Sequence, residues 1–445
     1  MTSTMKKAIR IKGWWVAVAF VVVAGLFLTS TSLRERIYWK LSEWYSDIYY
    51  TVKPPEQAVF VPQEAAVIVK PSLTPTKTST IVIVGDENNE ILTETPEAIL
   101  LPTMTPTPLP ERVILEGVTY VDQHGLWNYC APANLSMALS YWDWHISREE
   151  IGPYLKPEPK DRNVMPYEMV SYVTNETSLG AVERYGGDID LLQRLVAGGF
   201  PVLIELGVYN PRSPGSSQIV WMGHYNLVVG YDKGLETFYV HDSYLSPTYE
   251  YELFLPLSYD DLISQWRSFN YIFVVVYDVS RQDDLYAILG DYLDPNWSYK
   301  KAELMALQEI DVLQGEDLFF ASFNYGNSLR LQFDYGPASL AFDQAFALYA
   351  ELDPNRRPWR MMWYQTGPYF AYFYSGRYQD VIDLATNTID GASEPFIEET
   401  WYWRGQARLA LGNEAGAVED FRESLKYHPG FGPSVQALRL LGYEP

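Results

Sequence analysis

The sequence predicts an α+β domain followed by an all-α region, both behind an apolar N-terminal segment. Three observations predict this. Between about residues 113 and 280, runs such as Phe238-Tyr239-Val240 and Tyr271-Ile272-Phe273-Val274-Val275-Val276 read as strands among helix-period segments. From about residue 284 the strand pattern gives way to 3.6-residue periodicity. Ahead of both, Gly13 to Leu33 carries no charge and has an apolar heart from Trp14 to Leu28. The chain has 445 residues, 47% hydrophobic and 20% charged, enough for two or three domains with buried cores. A formal net charge of -23 excludes a nucleic-acid binder, which needs basic surface against phosphates. A single cysteine excludes an internal disulfide framework and any multi-thiolate metal site. Five histidines include no HExxH or comparable pair, so neither a metal nor a cofactor is expected.

Residues 1–12 form a basic tail with Lys6, Lys7, Arg10 and Lys12, expected to be cytoplasmic. Residues 13–33 follow as a transmembrane anchor or signal peptide, at the short end of the span a bilayer requires. No Ala-x-Ala cleavage site follows, and Thr29-Ser30-Thr31-Ser32 is a weak substitute, so an uncleaved anchor is expected. Arg34, Arg36 and Lys40 blur the charge asymmetry, but the layout favours an exported body. The first 40 residues carry +6, so the remainder carries -29. Residues 34–112 read as a juxtamembrane segment and Pro/Thr-rich linker, with ten Pro and ten Thr between residues 51 and 110. Proline favours extended backbone, so the linker is expected to act as a semi-rigid spacer holding the body away from the bilayer. Ile81-Val82-Ile83-Val84 is either a short strand or a sticky patch in that linker.

Residues 113–280 hold the chemistry. Cys130, the only thiol, sits in Gln123-His124-Gly125-Leu126-Trp127-Asn128-Tyr129-Cys130-Ala131-Pro132-Ala133. Pro132 suits a first helical turn, and Leu135, Ala138, Leu139 and Trp142 then share a helical face. At a helix N-terminus the unpaired N–H groups and the dipole stabilise a thiolate. By position alone, a buried cysteine acting as a small hydrophobe is the commoner outcome. Downstream, Gly223-His224-Tyr225-Asn226-Leu227-Val228-Val229-Gly230-Tyr231 reads as a strand with His224 at its start. Glu236-Thr237-Phe238-Tyr239-Val240-His241-Asp242 reads as its hairpin partner. A thiol needs a base, and that base needs an acceptor to fix its tautomer, roles that Cys130, His224 and Asp242 can fill. The other polar and aromatic residues nearby have structural readings. His241 points to the face opposite Asp242. His124 reads as a surface residue, with approach to the cleft as the alternative, His145 as a helix end, and Asn226 as a strand-pairing residue, with substrate binding as the alternative. Trp127 and Trp221 either wall the cleft or pack in the core.

Together these segments resemble the C39-like branch of papain-like cysteine peptidases. The resemblance rests on Gln123 with Cys130-Ala131-Pro132-Ala133, on Gly223-His224-Tyr225 and on Val240-His241-Asp242-Ser243-Tyr244. It extends to Leu191 through Val202 and to Trp266 with the strand at Tyr271 to Val276. It implies Cys130 as nucleophile, His224 as base, Asp242 as the residue orienting it and Gln123 in the oxyanion hole. Three departures stand out. Ala131 replaces a common Gly, Ser243 replaces a common Pro, and the Gln123-to-Cys130 gap of seven is longer than the papain-like spacing. The transporter-linked leader peptidases of this family imply a substrate that does not carry over, because no transporter domain is present.

Residues 281–445 resemble tetratricopeptide repeats. Trp401-Tyr402-Trp403-Arg404-Gly405-Gln406-Ala407 leads to Gly412, Ala417, Phe421 and Pro429. Gly376-Arg377-Tyr378 occupies the same turn 36 residues earlier, and a further repeat ends in Glu351-Leu352-Asp353-Pro354-Asn355. Residues 284–315 are expected as a capping helix pair. The aromatic run from Tyr364 to Tyr378 reads mainly as helix–helix core, with a groove for a peptide or protein partner as the functional alternative. The predicted whole is an α+β papain-like cysteine peptidase domain plus an all-α tetratricopeptide-repeat solenoid, after an N-terminal transmembrane helix. The expected function is cell-surface peptide-bond hydrolysis. The alternative is an inactive or weakly active C39-like binding protein, and acyl transfer to an amine is a further possibility within the same chemistry.

Overall fold

The computed structural model describes Trp15 and residues 31–63, 108–126, 128–211, 219–244 and 254–445. The predicted span at 13–33 lies outside these except for Trp15 and residues 31–33. The Pro/Thr-rich residues 64–107, the Ile81-to-Val84 strand and Trp127 lie wholly outside. Among the described residues no helix is long and apolar enough to cross a membrane.

Helix α1 (Thr31–Val52) precedes the α+β domain, which begins at β1 (Arg112–Ile114). There follow α2 (Cys130–Ser140), α3 (Arg148–Leu155), α4 (Pro166–Glu176), β2 (Gly180–Arg184), α5 (Ile189–Ala197) and β3 (Val202–Pro211). The domain closes with β4 (Ile219–Asp232), β5 (Thr237–Asp242), β6 (Leu255–Ser258), α6 (Tyr259–Arg267) and β7 (Phe273–Tyr277). The strands form one antiparallel sheet in the order β2-β7-β3-β4-β5-β6, and β1 pairs with β4 beyond the end of β3.

Local sequence explains the boundaries. Ser147 and Glu150 form a reciprocal capping box at the start of α3. Asp188 caps α5, whose exit turn uses Gly199 at φ +84. Helix α2 is buried along almost its whole length, so Ala131, Ala133, Leu135, Met137, Ala138 and Leu139 face protein on all sides. It packs between the sheet and α3, which places its N-terminus over β4. Trp142, expected on the helix, lies just past it and donates to the Val276 carbonyl at 2.9 Å.

The C-terminal region is all helical: α7 (Gln282–Leu289), α8 (Pro295–Val312), α9 (Gly315–Leu331), α10 (Tyr335–Glu351), α11 (Met361–Tyr364), α12 (Gly367–Tyr374), α13 (Tyr378–Asp390), α14 (Glu398–Ala410), α15 (Glu414–Tyr427) and α16 (Gly432–Leu440). Helices α9/α10, α12/α13 and α14/α15 pack as consecutive pairs. Their tight turns use Phe333 at φ +64, Gly376 at +77 and Gly412 at +82. Residues 284–315, expected as a capping helix pair, lie against the α+β domain. Tyr185 N–H donates to Ser298 Oγ at 2.9 Å and Arg184 donates to the Leu293 carbonyl at 2.8 Å, so this segment also covers edge strand β2. Within the array, Arg377 bonds both oxygens of Asp343 (2.7 and 3.0 Å) and Asp380 (2.8 Å) in a buried cluster. Tyr369 and Tyr372 are fully buried helix–helix core, whereas Tyr374 is exposed.

The spacer expectation is corrected. Residues after the predicted anchor pack on the helical region. Ser42 Oγ donates to Glu394 at 2.8 Å, Tyr49 OH to the Asp390 carbonyl at 2.7 Å, and Gln63 N–H to Asp380 at 2.7 Å. Phe60 is buried against Phe346 and Tyr372, with ring centroids 5.0 and 6.0 Å apart. Residues 42–63 are therefore part of the folded body, and the rest of the expected spacer, residues 64–107, lies outside the described residues. Sequence composition revealed the proline content but not where the segment's ends dock. The Phe60→Ala variant is expected to weaken this docking by about 3–5 kcal/mol. Amides of α1 should then lose hydrogen-exchange protection while those of β3 and β4 keep theirs.

Candidate active site

Cys130 opens α2 and is partly exposed. The chain reaches it through Asn128 at φ +50 and Tyr129, whose carbonyl accepts the Ala133 N–H at 3.0 Å. His224 lies inside β4, because that strand begins at Ile219 and not near His224 as the sequence suggested. In the hairpin register Asn226 sits opposite Asp242. This puts His224, Asn226 and Asp242 on one face of the sheet, since alternate residues share a face. His224 Nε2 is 2.6 Å from Asp242 Oδ1, which leaves Nδ1 for the thiol, and Cys130 and His224 are hydrogen-bonded.

The electrostatics follow from this chain of three groups. Burial pushes the Cys130 thiol up, but the hydrogen bond and charge of His224 outweigh it, helped by the Tyr225 N–H and by Lys156. The net position is below the ordinary thiol value. Burial lowers His224, but the charge and hydrogen bond of Asp242, together with Cys130, raise it to about 10. Asp242 Oδ1 also accepts the Tyr244 N–H at 2.8 Å, and the Asp242 carbonyl accepts Tyr120 OH at 2.8 Å.

Gln123 is brought to the same place. Its N–H donates to the Ser243 carbonyl at 2.8 Å, and Ser243 Oγ donates to Gln123 Oε1 at 2.8 Å. With Oε1 held, the amide NH2 is the end left to donate. Ser243 thus has a positive role that proline could not fill. The long gap to Cys130 is accommodated by a turn containing Gly125 at φ +88, and Arg148 ties that turn down through the His124 carbonyl at 3.0 Å. Buried Asn134 joins the parts. Its amide nitrogen lies within hydrogen-bonding distance of the Cys130 carbonyl (2.9 Å), the Tyr225 carbonyl (2.7 Å) and Ser243 Oγ (3.0 Å).

Residues 115–272 match the family described as "Peptidase_C39 like family". This segment is a C39-like peptidase domain. Among curated proteins none matches the chain. The solved structures similar to it include the following two. A C39-like peptidase from Bacillus anthracis is 17% identical, with 38% of this chain and 98% of that chain covered and a TM-score of 0.30. Xylellain, a cysteine protease from Xylella fastidiosa, is 16% identical, with 39% and 87% covered and a TM-score of 0.32.

Around the C39-like domain's thiol lie residues that motif reading missed. Glu205, the lone acid in an apolar strand, is buried. Burial pushes its carboxyl well above the usual range, and Tyr225 OH donates to it at 3.1 Å. Buried Lys156, at the end of α3, donates to the Asn128 carbonyl at 3.2 Å, and burial pulls it down to about 8. Tyr364 comes from the helical region. Its ring lies edge-on to Trp221 at 5.8 Å and fills the space a side chain on Gly223 would need. Neither Glu205 nor Lys156 belongs to a recognisable spacing; Glu205 is a single charge in an apolar strand, and Lys156 opens a run that also holds Glu158, Lys160, Asp161 and Arg162.

The remaining candidates resolve individually. His241 is buried on the opposite face, against Phe254 at 4.8 Å, and burial lowers it to about 4. His145 is exposed in the loop before α3. His124 comes closer than a plain surface residue: its ring is 5.2 Å from that of Tyr244, which in turn lies 6.4 Å from His224. Asn226 is buried between its β3 and β5 partners. Trp221 is core, stacked on Phe269 at 5.7 Å, and does not wall the cleft. Among the described residues, Asp161, Glu398 and His428 place potential metal-ligand atoms within 4.8 Å of one another at the domain junction. His428 Nδ1 pairs with Glu398 at 2.8 Å, and the Lys156 charge opposes the burial that pushes Asp161 up to about 6.

Proposed function

We propose that this protein is a membrane-anchored, exported cysteine peptidase that hydrolyses peptide bonds with Cys130, His224, Asp242 and Gln123. The observation that carries the reading is the continuous thiol–imidazole–carboxylate chain from the N-terminus of α2 to the β4–β5 hairpin. The Cys130 thiolate attacks the substrate carbonyl carbon, forming a C–S bond and moving the π electron pair onto oxygen. The Cys130 N–H, free at the helix N-terminus, and the Gln123 amide donate to that oxyanion. The His224 imidazolium gives its proton to the leaving amine as the C–N bond breaks. Neutral His224 then takes a proton from water, whose oxygen displaces the thiolate from the acyl-enzyme. Asp242 fixes the ring and stabilises its charged form.

The helical region is read as a tetratricopeptide-like array that presents a groove to a peptide or protein partner, and the consecutive helix pairs with their Gly turns support that reading. The basic tail and the uncharged apolar stretch at 13–33 support the anchor.

Incubating the full chain with a peptide mixture and identifying new termini by mass spectrometry tests the hydrolase reading. Cleavage by wild type and none by Cys130→Ser is the expected pair. No cleavage by either, with the fold intact, would favour a binding protein on a peptidase fold.

A further inference from the structure

Helix α1 has two distinct faces. Ser42, Ser46, Tyr49 and Tyr50 meet the helical region, with Ser46 Oγ 2.9 Å from Ser393 Oγ and the Tyr50 ring 5.3 Å from that of Trp359. On the other side Leu41 (56% exposed), Trp44 (65%), Tyr45 (50%), Ile48 (45%) and Val52 (80%) stand open. Their spacing of i, i+3, i+4, i+7 and i+11 makes one continuous apolar stripe along the helix. Contiguous exposed apolar surface marks an interaction site, whereas single exposed residues do not.

The chain itself names the occupant. The uncharged residues 13–33 run directly into α1, which begins at Thr31. An apolar segment of that length, inserted in a bilayer, delivers the following residues at headgroup level. Trp and Tyr concentrate at that level because their rings have an apolar body and a polar edge. A helix lying in the interface buries one apolar face to the headgroup–acyl boundary and keeps its polar face away from lipid. In α1 the face turned away is already satisfied by the array.

We infer that the Leu41-to-Val52 face of α1 lies in the lipid headgroup region and seats the helical array, with the peptidase domain joined to it, directly on the membrane surface. The inference rests on the anchor reading of residues 13–33. It gives the peptidase a fixed height above the bilayer, because residues 42–63 are part of the folded body. The favoured substrates are then chains presented close to the membrane.

The single native thiol makes the test clean. In a Cys130→Ser background of the full chain, Ile48→Cys and, separately, Leu440→Cys carry a nitroxide label. Each is reconstituted into vesicles of phosphatidylcholine with a minority of phosphatidylglycerol. Flotation reports membrane attachment. Collision of the label with oxygen, which partitions into lipid, is compared with collision with a water-soluble nickel chelate. The expected result is flotation with the oxygen-to-nickel preference reversed between positions 48 and 440. Flotation with both labels nickel-accessible overturns the inference and leaves the anchor standing. Spin–spin broadening at position 48 also overturns it and shows that a second copy covers the face. Absence of flotation overturns both the inference and the anchor.

Discussion

Replacing His224 with alanine is expected to return Cys130 to the reactivity of an ordinary buried thiol. Wild-type Cys130 should be alkylated by iodoacetamide at pH values below the ordinary thiol titration, because His224 more than offsets the burial that pushes the thiol up. In His224→Ala burial remains and the offset is gone, so alkylation should follow a titration at or above the free-thiol value of about 8.5. The pair's working window follows from the two directions. The lower edge is the depressed thiol titration, below which Cys130 is protonated. The upper edge is near pH 10, where the imidazolium loses its proton. Peptide hydrolysis should fall by roughly 10²- to 10⁴-fold in the variant, the size of a lost general acid–base. A wild-type alkylation profile centred near 8.5 and unchanged in the variant would remove the ion pair from the reading.

Arg377→Met is expected to give a large stability loss far from the active site. Arg377 is the cation for Asp343 and Asp380, whose side chains are 1% and 4% exposed, and Tyr372 OH donates to the same Asp343 carboxylate at 2.9 Å. Removing the guanidinium leaves two buried carboxylates facing each other without a cation. Breaking a buried pair from one side costs about 3–5 kcal/mol. Burial already pushes Asp343 up, with Arg377 the main opposing influence, so in the variant this carboxyl should take up a proton at higher pH. Arg281→Ala provides the contrast, because its partner Asp284 is 62% exposed, and the loss should stay below about 1 kcal/mol. Urea denaturation of each full-length variant checks both values, and equal midpoints for the two would contradict the account. Arg377→Lys should recover only part of the loss, since an ammonium cannot make the two parallel bonds of the guanidinium.

The site was legible in the sequence for a local reason. Each candidate residue stands at an element boundary or in a strand that announces itself: Cys130 before Pro132, His224 and Asp242 within a hairpin whose short turn limits the register. Once the hairpin closes, Asn226 must face Asp242, and the period of two puts His224 on the same side. The role of Ser243 was not legible, because it depends on the loop carrying Gln123 folding back across the end of β5. Glu205, Lys156 and Tyr364 were missed because a lone buried charge or ring carries no spacing signal; its partners come from distant segments.

Sequence alone determined the division into an α+β part and a helical part, the acidic net charge and the identity of the one thiol. These depend on composition and short-range periodicity, which every residue reports independently. Only the tertiary structure decided that residues 42–63 belong to the folded body, that Trp221 serves the domain junction and not the cleft, and that one face of α1 remains open. Docking is set by which surfaces meet across hundreds of residues. Phe60 buries its ring only because Phe346 and Tyr372 are there to receive it, and nothing within its own segment records that meeting.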